Sequence, residues 1–385
     1  MNFRNALQLR CLTDGDISAL ADAYVRGEIE IEGAIADVIE LVAELASDPV
    51  VQGEPSIADH LLRHISSRWL HRPRSDADHV HLPYDLCDEF FALWLDPRRV
   101  HSCASLPQSA MTLAQAQEAR LEHICRKLQL QPGQLLLDVD AGWGNLLLWA
   151  AEHHGVQGMG ITLSRDQHAY VNSLINQKGL QGRVAMRLLD YRDMPMTPRF
   201  DRIASVGMFE HVDSAQLSGY FNRLRTMLKP GGLLLNHGIT AGGAHKHQRA
   251  GGFGDPVDRH MFAGEERAHV SRVAHSLSAG GLELLDAENL SPCYARTLRA
   301  SSTALEGQLE RARELTSEST VRAWRLYLAG CAVAFERGWI SVHQLLASRP
   351  AGSMSDTALR RDQLVYPYKR RHVFVQPSAI AGELV

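Results

Sequence analysis

The sequence predicts an α/β fold: a doubly wound parallel sheet preceded by a smaller, mostly helical segment. Three observations carry this. From about residue 110, short apolar runs alternate with amphipathic stretches, the pattern of helices packed on both faces of a sheet. One run, Leu135-Leu-Leu-Asp138-Val-Asp140, reads as a buried strand and passes into a glycine turn, Ala141-Gly142-Trp143-Gly144. Residues 1–75 show helical periodicity instead.

The elements follow in order. Ile35, Val38, Val42 and Leu45 share one helical face, and Ile57, Leu61, Leu62 and Ile65 share another. Residues 72–83 are polar and flanked by proline, which suits a linker. The expected division is a helical N-terminal domain over 1–80 and an α/β domain over 81–385. Residues 112–128 form a helix with Leu113, Ala116, Ile124 and Leu128 inward. Strands are expected at 134–139, 157–162, 184–189, 201–206 and 232–238, with helices at 145–154, 165–178 and 214–228 between them. Lys229-Pro-Gly-Gly232 is a turn feeding the last strand. Residues 304–347 return to helical periodicity, and no repeats interrupt the chain.

Size and charge bound the function. A chain of 385 residues supports two domains and a sizeable core. The net charge of −4 gives no basis for a nucleic-acid partner. No window approaches the roughly 18 apolar residues that span a bilayer. The N-terminus lacks the apolar core of a signal peptide. Cys11, Cys87, Cys103, Cys125, Cys293 and Cys331 are scattered without a CxxC pair, so they read as reduced cytoplasmic thiols and no metal site is expected.

A strand, a tight glycine turn and a helix N-terminus present backbone N–H groups at the carboxyl edge of a parallel sheet. Acid-x-Gly-x-Gly-x-Gly is the form of this turn that serves S-adenosylmethionine. Here Asp140 stands at the first glycine. If that position needs a positive φ, a non-glycine residue costs roughly 1–2 kcal/mol. A carboxylate about 4 Å from the cofactor's own carboxylate adds roughly 1–4 kcal/mol of repulsion. Together these weaken binding by about a hundredfold. Beside the cofactor's amino group or sulfonium, the same carboxylate attracts instead.

Several separated segments resemble one family. They are Tyr84-Asp85 with the stretch from Asp88 to Asp96, the His101-Ser102-Cys103-Ala104 turn, Ser205-Val-Gly-Met208-Phe-Glu210-His211-Val, His237-Gly-Ile239, Tyr294-Ala-Arg-Thr-Leu298 and Trp324-Arg-Leu-Tyr327-Leu. Together with the turn around Gly142 they resemble the cyclopropane-fatty-acid synthases over about residues 84–350. Gly27-Glu-Ile-Glu-Ile-Glu-Gly33 is a weaker echo. The resemblance implies a Rossmann-like, S-adenosylmethionine-dependent methyltransferase fold. It also implies methylene addition across a cis double bond: the alkene attacks the sulfonium methyl, a base takes a proton from the new methyl, and the ring closes. In this family that base is a bound bicarbonate.

The resemblance also assigns residues. Glu210, His237 and Tyr294 match the side chains that hold bicarbonate, while Cys103 and Ile239 match positions of backbone contact. Asp138, Gly142 and Gly144 match the cofactor loop. Thr162, Leu163 and Gln167 match the ribose and methionine contacts, Asp190 and Tyr191 the adenine contacts, and Ser102 a methionine contact. The blander alternatives are that Glu210 and His211 cap a strand end, that Tyr294 packs, and that Asp190-Tyr-Arg-Asp193 is a polar turn. A Ser-Cys-Ala turn also suits a covalent nucleophile, but no nearby sequence element obliges the Cys103 thiol to ionise.

The chain departs from the family at Asp140 and Ala141, at Pro83, at His260-Met-Phe-Ala-Gly264, at Cys293 before Tyr294, and at Ser301. The last three lie where the acyl channel and lid are expected. The partner implied is an unsaturated lipid, reached by peripheral contact at the inner membrane face. Tyr366-Pro-Tyr-Lys-Arg-Arg-His372 is either a headgroup contact or a solvated charge run. A homodimer stays open. Two further readings stand beside the first: methyl transfer to a non-phospholipid alkene, and a lipid-binding member with impaired cofactor binding.

Overall fold

A computed structural model describes residues 2–3, 17–45, 88–100, 103–104, 111–243 and 267–351. The linker at 72–83, the second N-terminal apolar face (Ile57 to Ile65), Pro83 to Asp85, Ser102, His260 to Gly264 and the segment Tyr366 to His372 lie outside the described residues.

In the N-terminal part, strand β1 (Asn2–Phe3) pairs antiparallel with β2 (Ile29–Glu30), and helices α1 (Ile17–Val25) and α2 (Ile35–Leu45) flank β2. The short α3 (Asp88–Ala92) leads toward α4 (Leu113–Lys127). Thr112 starts α4 with a capping box: its side chain accepts from the Gln115 N–H while the Gln115 side chain accepts from the Thr112 N–H.

The alternating region then unfolds as read: β3 (Leu135–Val139), α5 (Asn145–His154), β4 (Gln157–Thr162), α6 (Arg165–Gln177), β5 (Val184–Leu188), β6 (Phe200–Val206), α7 (Leu217–Met227) and β7 (Leu228–Ala241). After it come α8 (Val270–Ala279), β8 (Glu283–Asn289), α9 (Ser291–Glu306), α10 (Leu309–Leu315), α11 (Glu318–Glu336) and β9 (Ile340–Ser348).

The main sheet has seven strands in the order β5-β4-β3-β6-β7-β9-β8. The first five run parallel; β9 inserts antiparallel between β7 and β8. Strand order reverses at β3–β6, so a crevice opens at the carboxyl ends there. The fold is the expected Rossmann-like, doubly wound sheet.

Three expectations need correction. Helical periodicity does not persist to residue 347: residues 340–348 are strand β9. This strand lies between two others and is largely buried, so Leu345-Leu-Ala347 shows no alternation to mark it. Strand β8 was not expected; its sequence, ELLDAEN, is acidic and half-exposed, as an edge strand tolerates. Lys229-Pro-Gly-Gly232 falls within β7 but remains a turn in effect. Phe200 pairs with Leu228 and Arg202 pairs with Leu233, so the intervening residues bulge from the ladder, with Gly231 at φ 73°.

Cores form on both faces of the sheet. One gathers α4 and α5 (Leu121, Ile124, Leu128, Leu146) against Leu136, Ala204, Leu235 and Leu346. The largest joins Tyr24, Ile35 and Ile39 of the N-terminal part to Phe90, Trp94, Trp324, Tyr327 and Phe335, and reaches Cys103, Trp143, Ile239 and Tyr294.

Candidate active site

The loop expected to hold the cofactor is built by three positive-φ residues. Asp140, Gly142 and Gly144 have φ of 58°, 54° and 75°. The Ala141 N–H bonds to Ile161 O at 2.9 Å, and the Gly144 N–H closes back on Ala141 O at 2.9 Å. A Cβ on Gly144 would stand 2.7 Å from Val171, so only glycine fits there. A Cβ on Gly142 would meet nothing within 4 Å, so that backbone faces open space. Asp140 does take a positive φ, and with it the cost to a residue bearing a Cβ.

Asp138 ends β3 fully buried. Burial pushes its carboxyl up to about 7, helped by the Asp140 charge; Arg120 and the Leu147 N–H pull the other way. Asp140 is exposed, and its carboxyl is raised, chiefly by desolvation, against the opposing pull of His211.

At the end of β4 the Thr162 hydroxyl donates to Gln167 Oε1 at 2.6 Å and accepts from the Ser164 N–H at 3.1 Å. Ser164 caps α6 by accepting the Gln167 N–H. Leu163 between them is 41% exposed, an apolar side chain at the mouth of the crevice. After β5, Asp190 caps a short turn and binds the Arg192 guanidinium at 2.7 to 3.1 Å, so both its oxygens are engaged. Tyr191 packs edge-on against Tyr220, 5.2 Å between centroids, and Tyr220 shares a 2.6 Å hydrogen bond with Ser205.

The candidate anion site lies at the ends of β6 and β7. The chain turns at Gly207, φ 76°, into the 3-10 turn Phe209–His211. The Ile239 N–H donates to Glu210 Oε1 at 3.1 Å. Ile239 thereby fixes Glu210 rather than offering that N–H to a ligand. Glu210 and Phe209 cover Gly238 so closely that a Cβ has no room, which explains the glycine in His237-Gly-Ile239. Glu210 Oε2 and His237 Nδ1 are enclosed by protein without hydrogen-bond partners. Burial raises the Glu210 carboxyl. His237 is held well below its usual value, first by burial and then by the charges of Arg120 and Lys127, so its ring is neutral.

Cys103 and Tyr294 converge on one peptide. The Cys103 thiol donates to Ala104 O at 3.4 Å and to Leu290 O at 3.6 Å, and the Tyr294 N–H donates to Leu290 O at 3.0 Å. Burial drives the thiol well above its ordinary pKa, so it is not a thiolate nucleophile. Cys103, Trp143, Ile239 and Tyr294 belong to one buried cluster. Among the described residues no group of His, Cys, Asp and Glu could hold a metal ion, and no helix is long and apolar enough to cross a membrane.

Two participants escaped the sequence reading. The Thr297 hydroxyl accepts the Ala104 N–H at 3.0 Å and donates to Cys293 O at 2.8 Å, tying the Cys103 turn to α9. No sequence signal marks it. Arg120 lies buried on α4. A charge on that helix's inward stripe was a signal available in the sequence.

Residues 71–345 match the family model for mycolic acid cyclopropane synthetase. The chain belongs to this family. A "Probable fatty acid methyltransferase" of Pseudomonas putida is 41% identical over 339 residues, spanning 88% of this synthetase-family chain and 84% of that protein. The cyclopropane synthase MmaA2 from Mycobacterium tuberculosis superposes with a TM-score of 0.67 at 32% identity, covering 71% of this chain and 98% of its own. The mycolic acid cyclopropane synthase CmaA1, crystallised with SAH and CTAB, superposes with the same TM-score of 0.67 at 33% identity, covering 71% and 98%. This member of the cyclopropane synthetase family is an S-adenosylmethionine-dependent methyltransferase.

Proposed function

We propose that this chain adds a methylene across the double bond of an unsaturated acyl chain and closes it to a cyclopropane, with bicarbonate as the bound base. One observation carries the reading: Glu210 Oε2 and His237 Nδ1 are buried without partners where the β6–β7 ladder ends. A buried polar atom left bare costs about 1–3 kcal/mol, so such atoms point to a polar occupant. Bicarbonate suits them, with a hydroxyl to donate to Glu210 and oxygens to accept from His237 and Tyr294. Bound there, it supplies a base beside the electrophilic methyl of S-adenosylmethionine. The chain's own part is to exclude water and hold donors still. Ile239 fixes Glu210, and Cys103 and Tyr294 are anchored to Leu290.

On the cofactor side, the open backbone of Gly142, the Thr162–Gln167 pair and the exposed Leu163 suit the methionine, ribose and adenine parts. Asp190 suits adenine less directly, because Arg192 already occupies it. The acyl chain would be reached by peripheral contact with a membrane surface.

The test is methyl transfer from labelled cofactor into vesicles of cis-unsaturated phospholipid, with bicarbonate depleted and restored. Turnover that falls on depletion and recovers on restoration supports the reading; turnover indifferent to bicarbonate contradicts it.

A further inference from the structure

The side chains assigned to the anion bring no positive charge. Glu210 is acidic, His237 is neutral, the Tyr294 phenol is a neutral donor, and Cys103 offers only backbone, its thiol being engaged by Ala104 O and Leu290 O. A buried anion without a cation is costly. Among the described residues, three arginine or lysine charges reach these groups: Arg120 and Lys127 reach His237, and Arg267 reaches Glu210. Lys127 is paired with Asp286 and Glu288, and Arg267 is only partly buried, whereas Arg120 is buried. It is 4% exposed, and among the described residues its guanidinium makes no hydrogen bond and no ion pair; its Nε is wholly enclosed. A guanidinium carries five N–H donors and cannot shed its charge, so a buried one with none engaged points to an acceptor.

Its place in the fold agrees. Helix α4 ends where β3 is about to begin, so it runs back over the sheet toward the carboxyl edge. Near the other edge, the Leu128 carbonyl accepts from Arg202. From Leu128 back to Arg120 the helix rises about 12 Å. From Arg202 to Val206 the strand advances about 13 Å, and Val206 is paired with His237. Arg120 is therefore level with His237. One turn earlier on the same helix face, the Gln117 amide donates to Val100 O, on the segment that leads to Cys103. The field of Arg120 reaches Cys103, Tyr294, Asp138 and His237, residues of both halves of the site, and also the buried carboxyl of Asp96.

We propose that Arg120 is the cation of the anion site, its guanidinium facing the small oxyanion held among Cys103, His237 and Tyr294. This rests on the reading of a bound anion given above. The chemistry recognised is a carboxylate-like oxyanion, either free bicarbonate or the carboxylate of the cofactor's methionine part. Position level with His237, with its charge felt at Cys103 and Tyr294, favours bicarbonate.

The experiment compares wild type, Arg120→Gln and Arg120→Lys on the full chain. Two quantities are measured: the bicarbonate concentration giving half-maximal rate, and the S-adenosylmethionine Kd by calorimetry. A third readout is the rise in Tm that bicarbonate gives the protein. Arg120→Gln should need at least tenfold more bicarbonate and lose the Tm rise, with cofactor Kd changed less than threefold. Arg120→Lys should recover most of the bicarbonate response. A tenfold loss of cofactor affinity with an unchanged bicarbonate response overturns the proposal and assigns Arg120 to the cofactor's carboxylate. No change in either quantity also overturns it. A wild type that ignores bicarbonate in both rate and Tm removes the anion reading itself, and this proposal with it. If Arg120→Gln fails to fold, isotope-labelled arginine in the wild type decides: the enclosed Arg120 Nε–H resonance should move when bicarbonate is added, and a stationary resonance contradicts the proposal.

Discussion

Glu210 accepts the Ile239 N–H through Oε1 at 3.1 Å, while Oε2 of the same carboxyl is enclosed and has no partner. One oxygen sets the orientation of the group and the other remains free to accept. This division of labour requires the backbone of β7 and the turn after β6 to meet, and Gly238 lets them do so. An ordinary strand cap would not leave its second oxygen buried and bare.

Glu210→Gln separates the two oxygens. The amide oxygen still accepts from Ile239, but an NH2 replaces the free acceptor. Turnover should fall about a hundredfold, the scale of losing a positioned group in proton transfer. Cofactor affinity should change by less than about twofold, since the loss falls on the transition state. Steady-state kinetics with calorimetric titration checks both; an equal loss of cofactor binding would make Glu210 part of the cofactor pocket.

Asp140 burdens the loop through its positive φ, and its carboxylate is expected to repel the carboxylate of the cofactor's methionine part. Asp140→Gly relieves both and should tighten S-adenosylmethionine binding by up to about a hundredfold, or about 2.7 kcal/mol. Asp140→Asn removes only the charge and should recover part of the gain. Weaker binding in both variants would show that the carboxylate attracts the cofactor's amino group or sulfonium.

Asp138 predicts a pH dependence of stability. Its folded pKa, about 7, lies above the ordinary value of 3.8, chiefly through burial. The folded state therefore keeps a proton that the unfolded state has lost. Stability should decline as pH rises from about 4 to about 7 and level off above, by up to about 4 kcal/mol. Asp138→Asn should flatten this slope in urea unfolding of the cofactor-free protein. Identical slopes in wild type and variant would place the dependence elsewhere.

Cys103→Ser should keep turnover within about threefold, because the thiol is protonated and serves only as a donor to Ala104 O and Leu290 O. Thiol-alkylating reagents should leave this position unmodified in the folded protein. Loss of activity of a thousandfold or more in the serine variant would revive covalent catalysis.

Much of this architecture was legible in the sequence. Asp138 through Gly144 announced a strand, a turn and a helix start. The five parallel strands declared themselves because each is a short apolar run between amphipathic helices. The antiparallel pair did not. Ile340 to Ser348 is covered on both sides and so lacks alternation, and Glu283 to Asn289 carries three acidic residues that suggest no strand. In the site, the separated matches at Glu210, His237 and Tyr294 could be read singly, whereas the Glu210–Ile239 bond and the shared Leu290 carbonyl exist only once the chain is folded. Arg120 was hidden in plain view: on an amphipathic helix, an inward arginine next to Leu121 and Ile124 contradicts the stripe, and the contradiction was the signal.

The most direct test is the product itself. The protein is incubated with a cis-unsaturated phospholipid and methyl-labelled S-adenosylmethionine, and the acyl chains are analysed by mass spectrometry. The account predicts chains heavier by one CH2, carrying the label, with the double bond gone and a ring in its place. Methylated alkenes or hydroxylated chains as the main product would show that no base closes the ring, and an unchanged lipid would contradict the acyl-chain assignment.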